Sequence, residues 1–140
     1  MTLEELAALH EEVFAPWVKA LRIRPVEIGP AGARFLMPAG ADLVRRGGEG
    51  GGVICGQALA AAGDTASVMA LVATLDRFRP CTTTDLSVRF LRPLGEGEVE
   101  IAVSILSNGR RMAATQAEFR AAGGGKLAAT VSCGFAWLDA

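Results

Sequence analysis

The chain has 140 residues, a length that predicts one domain with a hydrophobic core of its own. Hydrophobic residues make up 51% of the sequence and the net charge is −1, which favours neither nucleic acid nor an anionic membrane as a partner. The three cysteines lack metal-ligand spacing, and the N-terminus lacks the basic and apolar regions of a secretory signal. We therefore expect reduced thiols, no bound metal and a cytoplasmic location.

The first predicted element is an N-terminal helix. Thr2 and Glu5 have the spacing of a capping box, and Pro16 is expected to break or restart the helix. The only histidine of the chain, His10, lies on an apolar stripe with helical spacing and is predicted to pack in the core. This disfavours Ser-His-Asp catalysis, histidine metal sites and His-dependent dehydration, so any chemistry is expected of carboxylates.

Two short strands are predicted next, from alternation over residues 22–28 and 33–37. A turn at Gly29-Pro30 would make them an antiparallel pair. A loop with many glycines is predicted for residues 38–52 and includes Glu49. It lacks the Lys-Ser/Thr ending of a phosphate-binding P-loop, which disfavours nucleotide binding.

The central feature of the sequence is a predicted helix over residues 53–75 that is apolar on nearly every side. Asp64 is its only charge, and Gln57 lies seven residues earlier on the same stripe of the helix. The unpaired N–H groups at the start of a helix attract negative charge or a carbonyl oxygen. A buried carboxylate near such a site is a catalytic candidate. The alternative is a structural aspartate that hydrogen-bonds a neighbouring loop.

An apolar helix of this length is also compatible with a membrane span. An aspartate near the middle of a span costs ~2.5–3.5 kcal/mol on insertion scales. The strands predicted after the helix favour a protein core instead. We therefore expect no membrane association.

Four more strands are predicted from alternation, over residues 82–91, over 99–106, from Arg110 to the glycine turn at 123–125, and over 127–137. In the first of these, regular alternation places Thr84, Leu86, Val88 and Phe90 on one face. Asn108-Gly109 has the composition of a two-residue hairpin, with Arg110 and Arg111 opening the next strand. The pattern predicts an α+β fold in which a curved antiparallel sheet wraps around one long helix, with an additional N-terminal helix.

Three segments in this order resemble the hot-dog fold thioesterases, and within them the phenylacetate-degradation (PaaI-like) acyl-CoA thioesterases. The segments are Gly52-Val-Ile-Cys-Gly-Gln-Ala-Leu-Ala-Ala-Ala-Gly-Asp64-Thr-Ala, Thr82-Thr-Thr-Asp-Leu-Ser-Val-Arg-Phe-Leu-Arg-Pro93 and Asn108-Gly-Arg-Arg111. Together the resemblance covers about residues 22 to 137. It implies that the chain is a single hot-dog domain.

The resemblance also implies roles for particular residues. Asp64 takes the place of the acidic residue that acts as base or nucleophile, and Gly56 that of the glycine whose N–H polarises the thioester carbonyl. Gln57 stands where the family motif has a second glycine, and would position the water or the carbonyl. Thr83 matches a hydroxyl residue at the start of the next strand.

Two positions depart from the family pattern. Cys55 stands where the motif usually has histidine, and Glu49 where the preceding loop often has asparagine. A thiol at a helix start can have a lowered pKa and act as a nucleophile, so Cys55 is either that or a small buried residue. The site residues implied by the resemblance are thus Asp64, Gly56, Gln57, Thr83 and Glu49.

The function implied is hydrolysis of an acyl-CoA thioester, with coenzyme A as part of the substrate and no separate cofactor. Arg110 and Arg111 would bind the coenzyme A phosphates, or would be solvated without a ligand. The resemblance implies a homodimer or a dimer of dimers with pockets built from two chains. An acyl-CoA-binding protein without catalysis is the alternative, and the missing motif histidine supports it.

Overall fold

Two short helices begin the chain in the computed structural model, which describes residues 1–140. The first, α1 (Leu3–Val13), starts with the predicted capping box, in which the Glu5 N–H donates to Thr2 Oγ1 at 3.1 Å and the Thr2 N–H donates to the Glu5 carboxylate at 2.8 Å. The second, α2 (Pro16–Lys19), begins at Pro16 as predicted. His10 is buried with its ring centroid 5.1 Å from that of Phe14, which confirms a packed histidine.

The next two strands, β1 (Arg24–Gly29) and β2 (Gly32–Ala39), form the predicted antiparallel pair. The second strand is longer than predicted because a later strand, β4 (Gly97–Asn108), pairs with it as far as Ala39. The loop therefore begins at Gly40 and not at residue 38, and it contains a short 3₁₀ helix at Ala41–Leu43.

The central helix, α3 (Gly56–Leu75), starts three residues later than predicted because the preceding residues are extended. The Ile54 N–H donates to the Leu94 carbonyl at 2.8 Å, which keeps this segment out of the helix. The helix packs closely on the sheet, since a Cβ atom added at Gly63 would lie 2.5 Å from Val131. By length and composition α3 resembles a membrane span, but 67% of its apolar window is buried inside the protein, as in a core helix.

Four further strands complete one six-stranded antiparallel sheet that wraps around α3. They are β3 (Cys81–Phe90), β4 (Gly97–Asn108), β5 (Met112–Ala121) and β6 (Ala129–Trp137). The order is β1-β2-β4-β5-β6-β3, and α3 contacts every strand. The predicted hot-dog architecture is therefore confirmed, with β1 and β3 at the two edges.

The connection between β4 and β5 differs from the predicted two-residue hairpin. That turn needs positive φ at both central residues, and neither Asn108 nor Gly109 has it. A register shift between Ile105 and Ser107 instead pairs Asn108 with Ala113. The two strands form an antiparallel hairpin, but the predicted position of its turn was wrong. Arg110 and Arg111 lie in a loop of residues 109–111 before β5 begins.

Candidate active site

Asp64 lies in the middle of α3 and faces the start of the edge strand β3. Its carboxylate is half-buried, and Oδ1 accepts a hydrogen bond of 2.8 Å from the hydroxyl of Thr83. Of the residues implied for the site, these two are the pair that the chain brings into direct contact. The aspartate is therefore hydrogen-bonded to a strand and not to a neighbouring loop.

A β-bulge in β3 is what turns Thr83 toward the helix. Thr83 pairs with Phe135, whereas Leu86 pairs with Cys133, so the register shifts between Thr83 and Asp85. Directly paired residues share a face of the sheet, and Phe135 and Cys133 are both buried on the inner face. The prediction that Thr84 shares a face with Leu86 was thus wrong. The bulge places Thr83, and not Thr84, on the inner face.

The environment of Asp64 opposes ionisation in one respect and favours it in another. Burial raises the pKa of the carboxyl above its ordinary value of 3.8, and the hydrogen bond from Thr83 partly offsets this by lowering it. The net direction is upward. A carboxylate with a raised pKa is a better proton acceptor once it is ionised.

Polar side chains extend from Asp64 into the core. One turn further along α3, Ser67 is fully buried, and its hydroxyl accepts a hydrogen bond of 2.8 Å from Thr115 of β5. Burial raises the pKa of the nearby Cys133 to about 11, and the charge of Asp64 contributes to the rise. Burial and Asp64 also raise the pKa of Cys81. Both thiols are therefore protonated at neutral pH and are poor nucleophiles.

The N-terminus of α3 is open toward a cleft. No carbonyl of the chain accepts a hydrogen bond from the N–H of Gly56 or Gln57, as expected for the first turn of a helix. Gly56, Gln57 and Phe90 line the cleft, whose volume is about 770 Å³. The ring of Phe90 lies directly against Gly56, since a Cβ atom there would come 2.8 Å from the ring.

The other implied site residues have fewer contacts. Gln57 is exposed between this cleft and a smaller one beside Trp17, and its side chain makes no hydrogen bond. Glu49 is exposed in the loop before α3 and makes no side-chain hydrogen bond or ion pair. Cys55 is the N-cap of α3, with no side-chain capping bond. No group of three or more His, Cys, Asp or Glu side chains is arranged to hold a metal ion.

Asp64 and Gly56 do not meet within one chain. They are eight residues apart on the same helix, which places them roughly 12 Å apart along its axis. A single thioester carbon cannot lie within reach of both groups in one subunit. A site that uses both groups would therefore need a second chain.

The sequence motifs missed several residues that lie near Asp64 and Gly56. Phe90 was predicted only as a strand residue, and nothing in its spacing shows that its ring covers Gly56. Ser67 lies one turn after Asp64 on the same helix face, which is a usable signal. Its partner Thr115 comes from β5, and only the folded sheet brings the two hydroxyls together.

Comparisons with known proteins identify the family of the domain. Residues 46–136 match the family model of the acyl-CoA thioesterase N-terminal domain. No functionally curated protein matches the sequence. Among solved structures, a conserved protein from Pseudomonas aeruginosa is 29% identical over 91% of this chain and 98% of its own, with a TM-score of 0.77.

Two further solved structures share the fold at lower identity. Thioesterase superfamily member 2 from Mus musculus is 21% identical, with a TM-score of 0.82 over 97% of this chain and 98% of its own. A phenylacetic acid degradation-related protein from Ralstonia eutropha is 22% identical, with a TM-score of 0.78 over 94% and 98%. The chain belongs to the acyl-CoA thioesterase domain family, in the hot-dog thioesterase superfamily.

Proposed function

We propose that the protein hydrolyses an acyl-CoA thioester to a free acid and coenzyme A. The observation that carries this proposal is the half-buried carboxylate of Asp64, held by Thr83 in the one charged position of the central helix. In a thioesterase-family domain Asp64 is the best candidate for the base or nucleophile, because the raised pKa values of the neighbouring thiols, Cys81 and Cys133, make them poor nucleophiles.

In the first route Asp64 acts as a general base. The carboxylate takes a proton from a water molecule, and the hydroxide oxygen bonds to the thioester carbonyl carbon. The carbonyl oxygen becomes an oxyanion that the Gly56 N–H stabilises, an effect worth roughly 2.7–4 kcal/mol per donor in other enzymes. Collapse of this intermediate breaks the carbon–sulfur bond, and the coenzyme A thiolate leaves and takes a proton.

In the second route Asp64 attacks the carbonyl carbon directly. The thiolate leaves and a mixed anhydride forms between the acyl group and the Asp64 carboxyl. Water then hydrolyses the anhydride and restores the carboxylate. Both routes require the same two groups, an ionised Asp64 and an N–H donor at the oxyanion, so the residue roles are common to them.

A homodimer, or a dimer of such dimers, would complete the site. The edge strand β3 pairs only with β6, so its other side has unpaired backbone groups. It also carries exposed apolar side chains, with Leu86 and Phe90 43% and 59% exposed. Joining two β3 edges across a two-fold axis would cover these groups and bring Asp64 of one subunit toward Gly56 of its partner.

An assay of thiol release from a panel of acyl-CoAs tests the proposal. We expect turnover by the natural sequence and loss of at least ~10²-fold with Asp64→Asn, the effect typical of a lost acid–base group. Cys55 and Glu49 occupy positions where the resemblance implies histidine and asparagine, which favours a non-catalytic acyl-CoA-binding protein as the second candidate. Binding of acyl-CoA without any turnover would establish that second candidate.

A further inference from the structure

The arginine loop, residues 109–111, is held to the protein through all three of its backbone carbonyls. The indole Nε1–H of Trp137 donates to the Gly109 carbonyl at 3.1 Å, and the backbone N–H of Trp137 donates to the Arg111 carbonyl at 2.9 Å. Nη2 of Arg79 donates to the Arg110 carbonyl at 2.9 Å. Two residues, Arg79 and Trp137, thus supply every one of these bonds.

Arg79 is itself fixed in place. Its guanidinium carbon lies 4.3 Å from the centroid of the Trp137 ring, within the range of a cation–π contact. Its Nε–H donates to Asp139 at 2.8 Å, and its side chain is only 13% exposed. The charge of Arg79 is therefore neutralised by Asp139, and another N–H of the same planar guanidinium donates to the loop carbonyl.

The side chains of Arg110 and Arg111 have no such compensation. Both are exposed, and neither forms an ion pair with a carboxylate of the chain. Together with Arg79 and Trp137 they line one surface cleft. Two uncompensated guanidinium groups on a fixed loop are suited to an anion with several charges, because each can donate paired N–H groups to phosphate oxygens.

The loop lies at the same end of the sheet as the candidate catalytic pair. Trp137 pairs with Cys81 and Phe135 pairs with Thr83. At a rise of about 3.4 Å per residue, Trp137 is only about 7 Å further along β6 than the partner of Thr83. A substrate whose thioester reaches Asp64 would therefore have a second charged contact nearby.

We propose that Arg79 and Trp137 are positioning residues that hold the arginine loop so that Arg110 and Arg111 contact the phosphates of the acyl-CoA substrate. This inference rests on the proposed function for its substrate. The inference concerns other residues than the proposed function does, since Arg79 and Trp137 act through the loop backbone and touch no reacting atom. Without them the loop would still carry two charges, but in no fixed arrangement.

The test compares two substrates with the same acyl group, acyl-CoA and acyl-pantetheine, of which only the first has phosphates. Arg79→Met and Trp137→Phe should each raise KM for acyl-CoA by roughly tenfold, the weakening expected when the displaced loop loses one charge-assisted hydrogen bond to a phosphate. Neither variant should change kcat/KM for acyl-pantetheine. Trp137→Phe keeps a ring for Arg79 to stack on and removes only the indole donor. Arg79→Lys should not restore KM, since lysine lacks the fork.

Arg24→Met is the matched control, because Arg24 forms an ion pair of 2.9 Å with Glu98 at the opposite edge of the sheet. It should change neither substrate's kinetics. Equal KM values of acyl-CoA for the natural sequence and both variants, or equal losses with the two substrates, would overturn the positioning role. Thermal melting of each variant confirms that it is folded.

Calorimetric binding of desulfo-coenzyme A separates this inference from the proposed function. If the natural sequence binds it without hydrolysing any acyl-CoA, the proposed function fails, and weaker binding by Arg79→Met still supports the positioning role. If the natural sequence hydrolyses acyl-CoA and Arg79→Met binds desulfo-coenzyme A equally well, the positioning role fails alone. If the natural sequence does not bind desulfo-coenzyme A at all, the positioning role is refuted as well.

Discussion

The hydroxyl of Thr83 donates a hydrogen bond of 2.8 Å to Oδ1 of Asp64, which joins the edge strand to the middle of the central helix. Burial raises the pKa of this carboxyl, and the hydrogen bond, which stabilises the ionised carboxylate, lowers it in part. The proton affinity of the candidate base is thus set by two opposing effects, one of which a single substitution can remove.

Replacing Thr83 by valine should move the pH dependence of hydrolysis. Valine keeps a branched side chain but donates no hydrogen bond, so the pKa of Asp64 rises further and the acid limb of kcat/KM shifts to higher pH. The loss of rate should be largest at low pH and smallest on the alkaline side. Thr83→Ser keeps the hydroxyl and is the control, for which the profile should stay in place. A loss with Thr83→Val that is the same at every pH would contradict this assignment.

Replacing Asp64 by asparagine should abolish hydrolysis and stabilise the fold at neutral pH. The folded-state pKa of Asp64 is raised, so its stability contribution is present below the unfolded value and is lost as pH rises through the folded value. At pH 7.5 the natural protein contains a half-buried charge that Asp64→Asn removes. We expect a higher melting temperature for the variant at pH 7.5, and a smaller difference as pH falls toward 3.8.

The same variant separates a functional aspartate from a structural one. If Asp64 served the fold alone, Asp64→Asn would lower the melting temperature at pH 7.5 and leave turnover close to that of the natural sequence. A stabilised protein that has lost at least ~10²-fold in rate is the expected result.

How far the sequence predicts this site depends on which residues are local to one element. Asp64 was identifiable because it is the single charge of an apolar helix, and the predicted curved sheet follows from the alternation of its strands. The contact of Asp64 with Thr83 was not predictable from alternation, because the bulge in β3 reverses the phase of the strand. A strict period of two residues does not allow for an inserted residue, so regular alternation placed Thr84 on the face that Thr83 occupies.

The loop of Arg110 and Arg111 shows a second limit of sequence patterns. Asn-Gly favours a two-residue turn, but that local preference competes with the pairing of β4 and β5 over about ten residues. The register of this pairing, with Ile105 opposite Thr115 and Asn108 opposite Ala113, places the turn at residues 109–111. The carbonyl contacts of Trp137 and Arg79 come from distant segments, and only the folded chain reveals them.

His10 should make the fold sensitive to mild acid. It is buried in α1, its Nε2 has no hydrogen-bond partner, and burial lowers its pKa below the ordinary 6.5. The unfolded chain therefore binds a proton more readily than the folded one, and stability falls as pH drops below about 6.5. His10→Phe keeps a ring beside Phe14 and has no proton to bind. Between pH 7.5 and 5.5 its melting temperature should fall less than that of the natural sequence, and parallel curves would refute the effect.

Cys55 should not be the nucleophile. It is the N-cap of α3 and partly buried, and Cys55→Ser keeps a small side chain whose oxygen is a preferred N-cap acceptor. Most of the activity should therefore remain. The prediction is checked by kcat/KM for one acyl-CoA and by treatment with iodoacetamide. Inactivation of the natural protein by iodoacetamide together with loss of turnover in Cys55→Ser would make Cys55 the nucleophile in place of Asp64.

The last prediction concerns the sharing of the site between two subunits. Gly56→Pro removes the N–H donor at the start of α3, in the first turn, where proline is tolerated best, and should lower turnover by ~10²–10³-fold. Unchanged circular dichroism and oligomer size are required before the result counts.

Mixing Asp64→Asn subunits with Gly56→Pro subunits should restore activity. In a hybrid dimer one pocket combines both altered groups, and the other combines the intact Asp64 of one chain with the intact Gly56 of its partner. Random exchange of equal amounts makes half of the dimers hybrid and so recovers about one quarter of the natural activity. If both groups of a site came from one chain, every chain in the mixture would carry one altered group, and no activity would return. Absence of recovery after verified subunit exchange, or full activity from a demonstrable monomer, would remove the shared site.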